Sequence, residues 1–493
     1  MATVFSDFDT VFFVGGRGTK AGDANAGGGA VKADWEGALG KNLADVMGSN
    51  GEPLSDSSAW NGSQTACNAT EGGGGWLKID RVGAFSNCKV GNIANVQFLA
   101  TFTSGRYRVR SVGSDNIELD YVCGTGSTTC DVKVGGAFDK LQTALDNTDA
   151  SATSPHNVTI LTNKAETFSG AGDQIDVDTG GGSGSAGTWK RIIGVDDNGN
   201  DLVKGSYVLF DGNGQSCHIF KVLNVECIEL RHIRAINTAN THYGFYVTAT
   251  VYRQGFLLKD CNSTGCKYGL YSDTYYIRGV TITGGYYSSV TGAALCFSSS
   301  RWINVLNAEI VGSSAGALID GDVVGVLLVE GCVLRKTGNY IGGVYTDNWD
   351  TFLIVRSCVF YNIDSCIRMN DAESRLVQYN NIFLLHTSST GKIIERVSGS
   401  IKYSNHSCAW ALDGIPSATG RWGGSGKPEN AIEENPQFVD AANGDFRPRN
   451  PNVLRGGKPD IADNATEMGA VLQEHQFDRR AKAVNFGRLQ IIR

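Results

Sequence analysis

Acidic side chains recur in successive segments of the chain, each expected just after the second strand of its segment. They are Asp273, Asp320, Asp322, Asp347, Asp350, Asp371 and Glu373. If these segments stack as neighbouring β-strands ~4.8 Å apart, carboxylates on adjacent or next-adjacent strands lie ~5–10 Å from one another. That range includes the separations that retaining and inverting glycosidases use. The sequence therefore offers Asp320, Asp347, Asp350, Asp371 and Glu373 as candidate catalytic acids for polysaccharide cleavage.

Other side chains near these acids are suited to holding a sugar. Arg368 and Arg375 can each hold an acidic sugar through two parallel hydrogen bonds. The aromatic residues that can stack on sugar rings are Tyr275, Tyr276, Trp302 and Trp349. Turn chemistry is the simpler explanation of the acids, because turns favour Asp and Asn in any case. The acids alone therefore do not make the chain an enzyme.

Metal and histidine chemistry receive little support from the sequence. No closely spaced run of oxygen ligands of the EF-hand kind is present. No paired C-x-x-C arrangement suggests zinc, so we predict no metal and no cofactor. His232 and His406 are expected to be hydrogen-bonded corner residues rather than catalytic ones.

The elements that position these residues are eight unequal repeats between about His218 and Gly414. One apolar column is Ile228, Phe256, Val280, Asn304, Leu327, Leu353, Leu376 and Ile401. A second, two residues later, is Leu230, Leu258, Ile282, Leu306, Val329, Val355, Gln378 and Tyr403. A polar column follows at Arg231, Lys259, Thr283, Asn307, Glu330, Arg356, Tyr379 and Ser404. Self-similarity with a period of 20–50 residues indicates a solenoid, a propeller or an array.

The pattern within each repeat favours a parallel β-helix. Apolar residues recur at every second position, as in half-buried strands. A second strand in each repeat shows as the column Phe245, Leu270, Leu295, Leu318, Val344, Ile367 and Ile394. A propeller blade would need ~40–45 residues, which is longer than these repeats. A small residue before Cys332 and Cys358 is expected to bend the chain at a corner, so that the next residue points inward.

This arrangement resembles the right-handed parallel β-helix of the pectin-lyase-like superfamily, over roughly residues 133–470. The resemblance implies the fold but not one function, because this fold hosts lyases, hydrolases, adhesins and viral spikes. Residues 135–146 resemble the amphipathic helical cap of this superfamily, with Phe138, Leu141, Ala144 and Leu145 on one face. The chain is therefore expected to be all-β, a right-handed parallel β-helix solenoid with a small inserted β domain near the N-terminus.

Four segments are predicted along the chain. Residues 1–30 form an N-terminal strand and Gly-rich loop, and residues 31–132 form the inserted small β domain. Residues 133–414 form the parallel β-helix with its helical cap, and residues 415–493 form a closing segment and an exit arm. The inserted domain resembles small domains appended to phage structural proteins. The basic C-terminal end is either an arm that docks on a partner or a frayed tail.

Charge and cysteine content narrow the possible partners. The net charge of −7 argues against a general nucleic-acid binder, which needs a basic surface. No secretory signal and no run of 18 apolar residues is found, so neither export nor membrane insertion is expected. Cys123 and Cys130 bracket a short loop and could form a disulfide, but cytoplasmic folding would keep both thiols reduced.

These observations lead to three functional hypotheses. The first is a bacteriophage virion structural protein: a capsid decoration or cement protein, or a vertex or tail appendage. It would be assembled in the host cytoplasm, and it is expected to form a homotrimer, to contact shell or tail proteins and to touch a host surface glycan. The second is a polysaccharide-degrading tailspike or lyase that uses the exposed acids. The third is a bacterial adhesin, which the missing export signal disfavours.

Overall fold

The computed structural model describes most of the chain between Cys67 and Gly456, together with one earlier strand. The residues described are 10–14, 67–83, 85, 93–98, 101–103, 105–135, 140–146, 158–177, 189–196, 201–250, 252–273, 276–298, 300–312, 316–322, 325–337, 341–347, 351–386, 391–396, 400–414, 422, 427–428 and 430–456. They confirm the predicted fold class, because the chain is all-β with a parallel β-helix and a small antiparallel β domain near the N-terminus. The right-handed sense of the helix stays a prediction.

Three parallel sheets form the walls of the β-helix, and each coil passes through sheet 1, sheet 2 and sheet 3 in turn. Sheet 1 has 11 strands among the described residues: Thr10–Val14, Val158–Thr162, Lys190–Gly194, Ile228–Arg231, Arg253–Lys259, Ile277–Thr283, Arg301–Leu306, Gly325–Glu330, Thr351–Arg356, Arg375–Tyr379 and Ser400–Asn405. Sheet 2 has 10 in the same described ranges: Glu166–Thr167, Val208–Asp211, Ile233–Ile236, Asn262–Cys266, Tyr286–Ser289, Glu309–Gly312, Val333–Lys336, Val359–Ile363, Ile382–Leu385 and Cys408–Ala411. Sheet 3 has nine within the described part of the chain: Ile175–Val177, Phe220–Leu223, Tyr243–Thr248, Tyr268–Ser272, Leu295–Ser298, Gly316–Asp322, Ile341–Thr346, Ser365–Met369 and Lys392–Arg396.

The strands stack in the predicted columns, apart from slips of one residue. Ile228, Phe256 and Val280 pair in register in sheet 1, as predicted. In the next coil Ile303, not Asn304, continues this column. Because side chains alternate along a strand, a slip of one residue exchanges the inside and the outside. In the second predicted column of sheet 1, Val305 takes the place of Leu306 and Ser404 that of Tyr403. In the polar column, Leu306 takes the place of Asn307 and Asn405 that of Ser404. In the sheet 3 column, Ile319 takes the place of Leu318.

The interior is one continuous apolar column that runs through all three sheets. Phe360 and Phe383, from neighbouring coils of sheet 2, pack with ring centroids 5.0 Å apart. Phe220 and Phe245 do the same in sheet 3, at 5.7 Å. Burial of such a side chain contributes about 1.5–3 kcal/mol, so each coil is stabilised mainly by the coils above and below it.

A single residue with a left-handed backbone turns the chain from sheet 1 into sheet 2. In successive coils these residues are His232, Asp260, Gly284, Asn307, Gly331, Ser357, Asn380 and His406, with φ between 48° and 69°. The left-handed turn resets the alternation of side chains, so the following residue points inward. The corner predicted before Cys332 and Cys358 is thereby confirmed, and both cysteines are fully buried.

The inward residues after these corners hydrogen-bond to the preceding coil. The thiols of Cys261, Cys332 and Cys358 donate to the carbonyl oxygens of Leu230, Val305 and Val329, at 3.3, 3.3 and 3.5 Å. Burial raises the pKa of the Cys358 thiol well above its usual range, so this thiol stays protonated and able to donate. Asn381 continues the series, because its amide donates to the Val355 carbonyl at 3.0 Å and accepts from the Cys358 N–H at 2.9 Å.

The inserted domain is a closed barrel of six antiparallel strands. These are Cys67–Glu71, Trp76–Asp80, Ile93–Phe98, Gly105–Val112, Asn116–Val122 and Ser127–Gly135. The barrel is inserted between the first two strands of sheet 1, since Thr10–Val14 pairs with Val158–Thr162. Its core includes Leu77, Ile79 and Tyr107. Cys123 and Cys130 are free thiols in the structure.

A short helix, α1 (Leu141–Asp146), covers the first coils. Leu141 and Leu145 are buried in the β-helix core. The Gln142 side chain accepts a hydrogen bond from the Asp176 N–H at 2.7 Å and donates to the Asp176 carbonyl at 3.3 Å. Gln142 therefore satisfies backbone groups at the open edge of sheet 3, as a cap must. Phe138 lies outside the described residues, and so does the side chain of Ala144.

The C-terminal segment covers the other end and part of the outer wall. Trp422 continues sheet 3 beside Ile394, and Ile432 continues sheet 2 beside Cys408. A hairpin (Phe438–Asp440 and Asp445–Pro448) and helix α2 (Pro451–Arg455) then fold back over sheet 2. They cover an outward apolar column formed by Val333, Val359, Ile382 and Cys408. The predicted exit arm, residues 472–493, lies outside the described residues.

The corner hydrogen bonds generate a stability prediction. We expect Asn381→Ala to lower the free energy of unfolding by about 2–4 kcal/mol, because it leaves two buried backbone groups without partners, each costing ~1–3 kcal/mol. Urea titration of the variant and the wild type measures the difference. The exposed Asn240→Ala is the matched control and should change stability little. Equal losses in the two variants would contradict this role for Asn381.

Candidate functional site

The outer surface of sheet 3 carries a line of tyrosine, thiol and charged side chains. One outward position in successive coils is occupied by Lys221, Tyr246, Tyr271, Cys296, Asp320, Tyr345, Arg368 and Glu395. Tyr243 and Tyr268 form a second, shorter register pair beside it. We call this surface, from His218 to Glu395, the sheet 3 face. It has an aromatic half and a charged half.

Four tyrosines form the aromatic half. Tyr243 and Tyr268 stack with centroids 5.2 Å apart, and Tyr246 and Tyr271 stack at 5.9 Å. Tyr243 also lies 4.7 Å from Tyr271 across the two pairs. All four rings are half-buried. Lys267 places its ammonium group 5.0 Å from the centre of the Tyr268 ring, within cation–π range.

The hydroxyl groups give this surface its hydrogen-bonding capacity. Tyr246 donates to Asp273 Oδ2 at 2.5 Å. Burial, together with this carboxylate, raises the pKa of Tyr246 to about 12, so the phenol stays protonated. Asp273 Oδ1 is buried and has no hydrogen-bond partner among the described residues. The hydroxyls of Tyr268 and Tyr271 likewise meet no donor or acceptor within the described part of the chain, so they can serve a ligand.

His218 closes the N-terminal end of the tyrosine stack. Its ring stacks on Tyr243 at 4.7 Å and lies 4.6 Å from Tyr246. Its Nδ1 accepts a hydrogen bond from the Tyr243 N–H at 3.2 Å. Burial lowers the pKa of His218 to about 4, with further contributions from His242 and Lys221. The imidazole is therefore neutral at pH 7.

The charged half is held by a network of side chains. Arg368 donates from Nε to Asn370 Oδ1 at 2.9 Å, and the Asn370 amide donates to Asp347 Oδ1. The Arg368 guanidinium lies 5.3 Å from the Tyr345 ring centre. Burial raises the pKa of Glu395, but hydrogen bonds from Lys392 and Ser365 outweigh it and hold the pKa below its usual range. Acidic and basic groups thus lie close together along this half.

The candidate acids occupy different places in the fold. Asp273, Asp347, Asp371 and Glu373 follow sheet 3 strands, as predicted from the sequence. Asp320 and Asp322 do not, because both lie within the strand Gly316–Asp322, and Asp320 is one of its outward residues. Asp350, Trp349 and Tyr275 lie outside the described residues. Arg375 begins a sheet 1 strand, and Tyr276 and Trp302 lie where the chain enters sheet 1.

The acids perform turn or network functions where their contacts are described. Asp371 Oδ1 accepts the Glu373 N–H at 2.7 Å, which is a turn-forming contact. The register neighbours of Asp320 are Cys296 and Tyr345, not a second carboxylate. The geometry is suited to binding hydroxyl-rich ligands, and a catalytic role for these acids stays a prediction.

Histidines and metals add no second site in the described ranges. His232 and His406 occupy left-handed corners, as expected of corner residues. Nδ1 of His406 lies 3.3 Å from the Tyr403 hydroxyl, whereas Nδ1 of His232 is buried with no partner among the described residues. Those residues contain no group of three or more His, Cys, Asp or Glu side chains able to hold a metal. They also contain no helix long and apolar enough to cross a membrane.

The tyrosine pairs are not among the residues predicted above, although the sequence carries a signal for them. Tyr-Gly-Phe-Tyr (243–246) and Tyr-Gly-Leu-Tyr (268–271) repeat the same pattern 25 residues apart, which is one coil. The glycine in the second motif is sterically required, because a Cβ on Gly269 would lie 2.7 Å from the Ala294 carbonyl oxygen. The motif therefore predicts that tyrosines of successive coils stack on each other along a tightly packed wall.

Comparisons with known proteins found no match, so a function can be argued only from the fold and the sheet 3 face. No protein-family model matches the chain, and neither a curated protein nor a solved structure matches it. The class defined by the structure is therefore a parallel β-helix protein with a tyrosine-rich outer face.

The neutral state of His218 generates a pH prediction. Its pKa is about 4 in the folded chain, against ~6.5 when exposed, so the folded state binds fewer protons between these values. Stability should therefore fall as the pH drops from ~6.5 towards 4. We expect His218→Gln, which keeps an acceptor for the Tyr243 N–H, to lose less in melting temperature over this range.

The control is His386→Gln, on an exposed residue that hydrogen-bonds to Asn362. This variant should show the same pH dependence as the wild type. A His218→Gln protein that loses as much melting temperature as the wild type would contradict the assignment.

Proposed function

We propose that the protein is a structural β-helix that binds a surface polysaccharide through the sheet 3 face, as a component of a bacteriophage particle. The observation that carries the binding role is the paired tyrosine motif on one outer wall. Half-buried tyrosines, with hydroxyls open to a ligand, lie beside the partly unsatisfied Asp273 carboxylate. Sugars offer both apolar ring faces and hydroxyl groups, and these side chains match both.

The rigidity of the wall supports binding without a large loss of entropy. The tyrosines lie on strands that pair in register on both sides, so their positions are set before a ligand arrives. A preorganised site loses less conformational freedom on binding. A polysaccharide could lie along the coils, since the face extends from Tyr243 through Tyr345 to Arg368.

Binding is favoured over cleavage. The Asp347 carboxylate is engaged by Asn370, and Asp371 serves a turn. Both contacts occupy a carboxylate in holding the wall together. The alternative, a polysaccharide-degrading tailspike or lyase using Asp320, Asp347, Asp350, Asp371 or Glu373, is distinguished by the appearance of shortened chains after incubation.

The phage setting rests on the likeness of the inserted barrel to small domains of phage structural proteins and on the β-helix itself. Such a protein would attach by its ends to shell or tail proteins and present its wall to a host glycan. A homotrimer fits this arrangement.

The binding role predicts a specific loss. We expect the double variant Tyr268→Phe/Tyr271→Phe to bind polysaccharide roughly 5- to 150-fold more weakly, because each of the two lost hydroxyls removes a hydrogen bond worth ~0.5–1.5 kcal/mol. The rings remain, so the fold should be unaffected. Affinity electrophoresis through gels that contain bacterial capsular or lipopolysaccharide chains measures the change.

The matched control is Tyr361→Phe, on the outer wall of sheet 2, where the ring packs against Phe438 and Phe446. It should migrate as the wild type does. Retardation that is unchanged in the double variant would contradict binding through the sheet 3 face.

The phage role predicts the protein in purified particles. Quantitative mass spectrometry against the major shell protein gives its copy number. Hundreds of copies would indicate a decoration protein, and a small multiple of three would indicate a spike or fibre. Absence from every particle would contradict the phage setting while leaving the binding role untouched.

A further inference from the structure

The outer wall of sheet 1 changes from polar to apolar along the solenoid. One outward column, read through successive coils, is Thr281, Asn304, Leu328, Ile354 and Val377. Beside this column, Val326 pairs in register with Phe352. We call the five apolar members the sheet 1 patch: Val326, Leu328, Phe352, Ile354 and Val377. A contiguous apolar patch on an outer surface marks a place where another segment or molecule docks.

Sheet 2 shows what an apolar column in these coils looks like when it is covered. Its outward residues Val333, Val359 and Ile382 lie under the C-terminal hairpin and α2, and they are 2%, 0% and 0% exposed. Their strands directly follow the strands of the sheet 1 patch along the chain. All five residues of the sheet 1 patch remain partly exposed. The described part of the chain therefore covers one apolar wall of these coils and leaves the other partly open.

The sequence after α2 predicts a second hairpin with one apolar face. These residues lie outside the described ranges, and residues 483–492 read Ala-Val-Asn-Phe-Gly-Arg-Leu-Gln-Ile-Ile. Gly487 and Arg488 suit a two-residue turn, of the type that places glycine first. Residues opposite each other in a hairpin share a face, and so do alternate residues of one strand. The turn therefore groups the apolar residues on one face: Val484, Phe486, Leu489 and Ile491.

A hairpin of this kind requires a surface to cover its apolar face. Two strands alone are only marginally stable in water, so they need further packing. The first hairpin obtains this packing on sheet 2, where Phe438 and Phe446 contact Tyr361 with ring centroids 6.3 and 5.1 Å away. The second hairpin has the same requirement, and the sheet 1 patch offers an apolar surface on the same coils.

The charge of the C-terminal residues also suits this wall. Residues 472–493 hold five Lys or Arg against two Asp or Glu. Two turns lead into the patch strands Thr351–Arg356 and Arg375–Tyr379. These turns carry Asp347, Asp371 and Glu373, which outnumber Arg375 at the start of the second strand. A basic segment is therefore attracted to the edge of the patch.

From these observations we infer that residues 484–491 form a hairpin that docks on the sheet 1 patch of the same chain. Sheets 1 and 2 of one coil are separated by a single corner residue, so the two walls adjoin. The connecting residues 457–483 span up to ~90 Å when extended, which is ample for passing from one wall to the other. Such a tether keeps the segment at a high local concentration, which favours the chain's own wall over that of a second copy.

Photo-crosslinking in the full chain tests the contact. With benzoylphenylalanine in place of Phe486, irradiation should link this position to residues of the sheet 1 patch, as peptide mass spectrometry reports. The matched control carries the same probe in place of Gln490, which the turn places on the opposite face, and it should give few of these products. The linked protein should keep the mass of one chain on a denaturing gel.

Limited digestion with trypsin gives a second measurement. Docking shields the bond after Arg488, so Phe486→Asp should raise the rate of cleavage there by roughly tenfold or more. Asn485→Asp adds the same charge on the opposite face, and its cleavage rate should stay close to that of the wild type.

Four results would overturn the inference. They are the absence of crosslinks to the sheet 1 patch, equal crosslinking from the two probe positions, equal cleavage of Phe486→Asp and the wild type, and linked products of twice the chain mass. The last result would assign the patch to the segment of a second copy. None of these measurements involves the sheet 3 face, so they do not depend on the proposed function.

Discussion

The hydrogen bonds between parallel strands of successive coils are the constraint on which the rest of the structure depends. They fix the distance between coils at about one strand spacing and keep equivalent residues in register along the solenoid. Each coil can form these bonds only if the chain turns sharply at the same place every time. The left-handed corner residues provide that turn, and the thiols, Asn381 and the backbone around it join consecutive coils just inside it.

Because neighbouring coils pair in register, a residue type that recurs once per coil forms a line of side chains along the wall. Tyr246 and Tyr271 are an example. An open-ended stack would expose backbone groups at both ends. Gln142 and α1 satisfy the first end, and the segments around Trp422 and Ile432 continue sheets 3 and 2 at the other. The functional surface is therefore a side wall, where the outward positions are free to vary without disturbing the core.

Much of the fold could be predicted from the sequence, because the apolar alternation and the coil-length period are both local signals. The corner before Cys332 and Cys358 was predictable for the same reason. The slips at Ile303 and Ile319 arose because coil lengths vary, and one inserted residue reverses inside and outside. The positive φ of Trp302 could not be predicted, since nothing in its own side chain favours that conformation.

The candidate site was less predictable than the fold. The sequence shows that acidic residues recur, but the role of each acid depends on its contacts. Asp371, for example, accepts a hydrogen bond within a turn. The tyrosine pairs carried a repeat signal at the coil length, yet only the register shows that both pairs meet on one outward face. A site formed across coils depends on spacing between segments, and single-residue slips change that spacing.

Hydroxyl-radical footprinting of the protein, alone and with a polysaccharide that retards it, tests the central claim most directly. Partly exposed aromatic rings react readily, so each tyrosine of the sheet 3 face reports its own coverage. The account predicts that bound polysaccharide protects Tyr243, Tyr246, Tyr268 and Tyr271 while Tyr361 on sheet 2 reacts as before. Protection confined to sheet 2, with these four tyrosines unchanged, would contradict it.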